Sequence, residues 1–274
     1  DIINMIVGRT LEEKFPKRQV EIGDVMFEVE HLTVPKTIYD VSFQVRSGEV
    51  VGLSGLVGSG RTSTAKAIIG MLPKEKGVIK LNGKPAVINT PHDAIKIGIG
   101  YLPEDRKREG LLLDKPMYEN VTLPALHKFK KFGVLSKALE HQTAEEYREK
   151  LSIKTPSVER ETKFLSGGNQ QKVVFSKWLC AQTKVYIFDE PTRGIDVGSK
   201  SEIYRIINDL AAQGAAIIVI SSELPEILGV CDRIVVMCEG RVTGELSREE
   251  ATQEKIMKYA IGGAGSYGKV EATH

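Results

Sequence analysis

The chain has 274 residues, 41% hydrophobic and 27% charged, and its 38 basic against 36 acidic residues leave a net charge of +2. A chain of that length and balance forms one large domain or two small ones, which excludes a disordered, collagen-like or disulfide-stapled protein. Near-neutrality gives no basic footprint for nucleic acid or anionic lipid.

Residues 1 to 24 mix charge and proline (Glu12, Glu13, Lys14, Pro16, Lys17, Arg18) without periodicity and read as a linker or arm. The chain opens on Asp1 rather than Met or a basic signal sequence, a hint that it is a piece of something longer. Val25–Val29 and Val41–Val45 alternate as strands, and Val50–Leu53 reads as a short buried strand running into a glycine cluster. A helix over Thr62–Gly70 follows, then a hairpin of Val78–Leu81 and Ala86–Ile88 around Asn82-Gly83. Residues 91–162 read as mostly helical, including Ala138–Leu151. From Leu165 helices alternate with strands at Val185–Phe188, Ala216–Ile220 and Arg233–Met237, which predicts a parallel sheet covered on both faces. A hairpin at Glu239-Gly240 and a helix near Glu249–Ile261 precede a tail over 263–274 expected to be flexible.

No apolar run reaches the roughly 20 residues of a membrane helix. The three cysteines, Cys180, Cys231 and Cys238, have neither disulfide nor zinc spacing and read as idle thiols.

Three groups of residues carry chemistry. Gly55-Leu56-Val57-Gly58-Ser59-Gly60-Arg61-Thr62, between a strand and a helix, follows the phosphate-loop pattern with Arg61 at the lysine position. Glycines there let backbone N–H groups approach phosphates at a helix N-terminus, and Thr62 offers a hydroxyl to Mg2+. Arginine is a planar fork rather than a compact point charge, so the exchange matters. The competing reading is a glycine-rich turn with no ligand. Val185-Tyr186-Ile187-Phe188-Asp189-Glu190 is an apolar strand ending in two carboxylates. There Asp189 is placed to hold Mg2+ and Glu190 to polarise an attacking water. The plainer alternative is acidic capping of a helix N-terminus. Leu165-Ser166-Gly167-Gly168-Asn169-Gln170-Gln171 opens a helix shortly before that strand.

In this order the three groups resemble those of ATP-binding cassette (ABC) ATPases, with Ser166-Gly167-Gly168 and Gln170 as the signature and Asp196 as the D-loop aspartate. The resemblance covers about residues 25–262. It implies an α/β P-loop fold: a mixed core sheet, an antiparallel β subdomain and a helical subdomain over about 92–165. It also implies ATP and Mg2+ as cofactors. The implied phosphate set is Gly55, Gly58, Ser59, Gly60, Arg61, Thr62 and Ser63, with Thr62 and Asp189 on the metal and Glu190 catalytic. Glu104-Asp105-Arg106-Lys107, Asp189-Glu190-Pro191-Thr192-Arg193-Gly194 and Ser221-Ser222-Glu223 resemble, more closely, the C-terminal half of the tandem ATPase of bacterial monosaccharide importers.

That resemblance implies several partners: an N-terminal nucleotide-binding half in the same polypeptide, transmembrane permease subunits and, indirectly, an extracytoplasmic sugar-binding protein. It places the chain at the cytoplasmic face of the membrane, with no nucleic acid. Departures stand out. The Q-loop position is Glu104, the switch position is Ser222, and no aromatic except the poorly placed Tyr39 suits an adenine platform. The expectation is a degenerate phosphate loop whose own turnover is weak or absent, beside a signature that completes the partner half's site. The alternative is a regulatory pseudo-ATPase without turnover. A ribosome- or DNA-directed ABC ATPase is disfavoured by the lack of a basic linker.

Overall fold

The computed structural model describes Phe15 and residues 20–131 and 133–262; most of the arm and all of the 263–274 tail lie outside the described residues. Two sheets organise the chain. Strands β1 (Val25–Val34), β2 (Ile38–Arg46), β4 (Lys76–Leu81) and β5 (Lys84–Ala86) form an antiparallel sheet in the order β2-β1-β4-β5. Strands β3 (Val50–Gly55), β6 (Ile99–Leu102), β9 (Val185–Asp189), β10 (Ala216–Ile220), β11 (Arg233–Cys238) and β12 (Arg241–Ser247) form the core sheet in the order β12-β11-β3-β10-β9-β6. Its strands are parallel except β12, which returns antiparallel to β11.

Alternation along the core strands divides the interior into two layers. Val50, Ile217 and Val219 face a core with Val173, Phe175 and Ile207, whereas Val51, Ile218 and Ile220 face one with Phe27, Leu32 and Ile68. Both faces of a parallel sheet must be covered, which is why β3, β9 and β10 are apolar without a polar face. Helices α1 (Arg61–Ile68) and α2 (Pro91–Ile97) lie on the side of the antiparallel sheet. The other side carries α3 (Met117–Thr122), α4 (Lys137–Lys150), α5 (Gly167–Ala181), α6 (Val197–Ala212), α7 (Leu224–Val230) and α8 (Gln253–Ala260). On that side Phe175 stacks on Phe188 with ring centroids 4.7 Å apart. Phe15, from the arm, packs its ring 5.1 Å from that of Tyr204 on α6.

The stretch 91–162 is less helical than its sequence reads. It contains β6, the edge strand of the core sheet, and a two-residue hairpin of β7 (Lys130–Lys131) and β8 (Val134–Leu135). Four apolar residues are too few for a period, and β6 becomes a strand because β9 offers it a ladder. β1 runs five residues past Val29, through an irregularity where His31 takes a φ of 52°. Such a bulge breaks the alternation on which the shorter reading relied. Residues Arg106–Gly110 form a single π-helical turn.

Candidate functional site

β3 ends at Gly55, where a Cβ would stand 2.3 Å from the Met237 carbonyl oxygen, so only glycine lets the chain turn here beneath β11. The loop then runs over Gly58, Ser59 and Gly60 into α1. A cavity of about 460 Å3 opens above it, lined by Gly58 to Ser63 with Thr37, Glu104, Glu190, Arg193 and Ser222. The phosphate-loop residues, the base candidate, the Q-loop position and the switch position are therefore gathered around one space. Tyr39 hangs from this loop by its backbone N–H, which donates to Gly240 O, while Gly240 N donates to Ser59 O. Its ring is covered by the Arg241 guanidinium at 5.1 Å.

Arg61 is 8% exposed. Its Nη1 donates to the Ser221 carbonyl oxygen at 2.7 Å, at the end of β10. Burial pulls its pKa down, against the opposing pull of the Glu190 and Asp189 carboxylates. One of its guanidinium donors is thus spent on the fold. Asp189, wholly buried at the end of β9, accepts from Thr62 Oγ1 at 3.3 Å and from Tyr101 Oη at 3.1 Å. Burial lifts its carboxyl to about 6, and the two hydroxyl donors hold it from rising further. A hydroxyl and a carboxylate oxygen converging at the base of α1 are hard donors that fit Mg2+ shared with phosphates and water. No cluster of three or more His, Cys, Asp or Glu exists among the described residues, so a cation here needs such outside ligands.

Glu190 has a left-handed φ of 49°, and its backbone N–H donates to Ile220 O at 2.8 Å. That turn swings the side chain off the strand and into the cavity. Its Oε2 accepts from Ser222 Oγ at 3.2 Å, and burial raises its pKa above the usual glutamate range. The loop is held beneath by Glu226, 2% exposed, which accepts from Thr192 and Ser221 hydroxyls.

The signature lies on a different face. Ser166 caps α5, and its Oγ accepts from Asn169 Nδ2 at 2.8 Å. Ser166, Gly168, Asn169, Asp196 and Ser199 line a second hollow of about 380 Å3, together with the cations Lys154, Lys172 and Arg205. Gly168 has no room for a side chain, because a Cβ would lie 2.6 Å from Ser199 Oγ. Asp196 caps α6 by accepting from Ser199 N at 2.9 Å and Ser199 Oγ at 2.8 Å, which holds its pKa below the usual aspartate range. Gln170, expected among the signature contacts, is not on this surface. It is 4% exposed, and its Nε2 donates to Thr162 O at 3.2 Å. The Thr162 carbonyl holds it in the fold, and its neighbour Asn169 lines the hollow instead.

Between the two faces sits a junction that sequence reasoning did not reach. Arg106 donates from Nη1 to Arg193 O at 2.7 Å and from Nη2 to Gly194 O at 3.3 Å. The Arg193 side chain forms an ion pair with Glu104. Lys177 of α5, driven down to about 8 by burial, donates to Gly110 O at the end of the π turn. The sequence signal for Arg106 is the charged run Asp105–Glu109, which reads equally as a surface facing a membrane subunit or partner domain and as a solvated loop.

The family model described as ABC transporter matches residues 38–193. The chain is 53% identical over 262 residues to the ribose import ATP-binding protein of Clostridium perfringens, across 95% of this chain and 52% of that protein. It is 49% identical over 263 residues to the ribose import ATP-binding protein of Bacillus subtilis, across 96% of this chain and 53% of that one. Against the xylose import ATP-binding protein of Geobacillus kaustophilus it is 49% identical over 269 residues, with the same coverage of 96% and 53%. The chain thus spans about half the length of the curated relatives it matches. Among solved structures, a nucleotide-free ATP-binding cassette from an ABC transporter superposes with a TM-score of 0.74 at 21% identity, over 86% of this chain and 99% of that one. The ADP conformation of another such cassette superposes at 0.72 and 22%, over 87% and 99%. At that identity the likeness shows the fold.

Proposed function

The chain belongs to the ABC transporter family, and we propose that it is the C-terminal nucleotide-binding half of a tandem ATPase that couples ATP to import of a monosaccharide through a membrane permease. In support, about half of each sugar-import relative aligns with almost the whole of this chain. The partners are then the N-terminal half, the permease and, through it, an extracytoplasmic sugar-binding protein, with the chain at the cytoplasmic face of the membrane. No helix among the described residues is long and apolar enough to cross a membrane.

Within this assembly the two faces of the domain play unequal parts. The phosphate loop and Thr62 bind ATP, with Mg2+ on Thr62 and Asp189 supplying charge neutralisation when bound. Turnover at this site is weak, because Arg61 is committed to the Ser221 carbonyl and Ser222 brings a hydroxyl where the family carries histidine. Glu190 holds the position of a general base, poised by burial to take a proton. The signature face, by contrast, keeps Ser166 exposed at the N-terminus of a fifteen-residue helix, aimed outward at a partner's nucleotide. The observation that carries the asymmetry is the inward donation of Arg61 at 2.7 Å.

The test is steady-state hydrolysis by the two-domain polypeptide with Ser166→Ala or Glu190→Gln. Ser166→Ala is expected to cost the larger share of activity; a greater loss from Glu190→Gln would reverse the assignment. Hydrolysis by this chain alone, compared before and after adding the other half, separates a weak ATPase from a pseudo-ATPase that only completes its partner.

A further inference from the structure

We infer that Arg193 is the cation that neutralises the terminal phosphate of a nucleoside triphosphate in the phosphate-loop cavity, leaving Glu104 to do so. The inference rests on the reading of that cavity as a nucleotide site and names the group that reads the third phosphate.

A triphosphate brings several negative charges into a cavity whose lining already includes the carboxylates of Glu104, Glu190 and Glu223. Two cations line it, Arg61 and Arg193. Arg61 is turned into the fold, donating to the Ser221 carbonyl. Arg193 is the reverse case. Its side chain is 63% exposed and tied by the ion pair to Glu104, itself 39% exposed. Exposed ion pairs contribute little and are readily exchanged for a better partner. A phosphate is a better partner, because the guanidinium fork meets two of its oxygens at once.

The backbone beneath this side chain is fixed. Arg193 N donates to Glu190 O at 3.1 Å, and the carbonyls of Arg193 and Gly194 both accept from Arg106. Only the side chain is left to swing, pivoting three residues from the base candidate. Glu104 sits where a carboxylate would repel a terminal phosphate unless a cation stood between them. The pair therefore works as an exchange: Arg193 parked on Glu104, or Arg193 on phosphate with Glu104 released to solvent. A diphosphate, ending short of that position, has no claim on it.

The test is equilibrium binding of ADP and of the non-hydrolysable analogue AMP-PNP to this chain, by displacement of a fluorescent ADP, in Mg2+ and again in EDTA. Arg193→Gln is expected to weaken AMP-PNP by about tenfold and leave ADP within about twofold, the scale of one charge-assisted phosphate contact. Arg193→Lys should restore part of the loss, since it keeps the charge without the fork. In EDTA, where no Mg2+ shares the phosphate charge, Glu104→Gln should tighten AMP-PNP severalfold. An unchanged AMP-PNP to ADP ratio in Arg193→Gln would overturn the inference, as would equal loss of both nucleotides in that variant. Failure of the unaltered chain to bind either nucleotide would overturn the site reading, and this inference with it.

Discussion

The phosphate-loop cavity and the signature hollow are both built at helix N-termini, yet they spend their polar groups in opposite ways. In the cavity, Arg61 donates to Ser221 O, and Asp189 is wholly buried with a hydroxyl on each carboxylate oxygen. In the hollow, Ser166 is exposed, and Lys154 and Arg205 stand beside it with their side chains in solvent. The cavity commits Arg61 and Asp189 to the fold while its Arg193 side chain stays exposed; the hollow leaves Ser166, Lys154 and Arg205 exposed and buries only its third cation, Lys172, which donates to Ser152 O. Retained motif letters are therefore a poor guide to retained chemistry, because letters do not say which way a side chain faces.

The largest effect that would break this contrast concerns the signature. Ser166→Ala in the two-domain polypeptide is expected to lower turnover by about 100-fold, the scale of a lost transition-state hydrogen bond. Glu190→Gln should lower it by less than about twofold. Gly168→Asp is a poor probe of the same point, since any side chain there displaces Ser199 and the start of α6. Second, Arg61→Ala is expected to cost about 2 kcal/mol in urea unfolding, as it strands the buried Ser221 carbonyl. ADP affinity in the same variant should move by less than about threefold. A large loss of affinity with no loss of stability would mean that Arg61 faces the nucleotide after all.

Third, Mg2+-dependent nucleotide binding should weaken on acidification below about pH 6, where Asp189 takes up a proton. The sign follows from competition: a cation needs the carboxylate, so each unit below that value costs up to about tenfold in cation affinity. Binding measured in EDTA should lack this fall. The smallest effect concerns Tyr101. Tyr101→Phe removes a donor that holds the Asp189 carboxyl down, so the midpoint of that fall should move to higher pH by a fraction of a unit. A midpoint unmoved by Tyr101→Phe would show that this hydroxyl has no share in setting it.

What could be read before the structure depended on range. The glycine loop was legible because strand, turn and helix adjoin in the sequence, although the close approach of Met237 O that bars a Cβ at Gly55 is long-range. The core strands were legible because burial on both faces leaves an unbroken apolar run. The inward turn of Arg61 was not, since its acceptor lies 160 residues away. Tyr101 was hidden in the same way: β6 is a strand only because β9 pairs with it, and Asp189 meets the phenol across that ladder. Gln170 misled because a motif names positions, whereas the helix period decides which of them face outward. Arg106 stood in the sequence only as one letter of a charged motif; its partners are two carbonyls more than 80 residues downstream.

Arg106 has a mechanical consequence. Glu190 and Arg193 line the cavity and Asp196 lines the hollow, so a single short segment runs from one to the other. With its midpoint pinned at Arg193 and Gly194, that segment is a tethered span rather than a slack cord. A shift of its midpoint has to carry the Arg106 guanidinium along or break its hydrogen bonds to both carbonyls. Glu190 and the cap of α6, against which Gly168 is packed, are thus the two ends of one tethered segment.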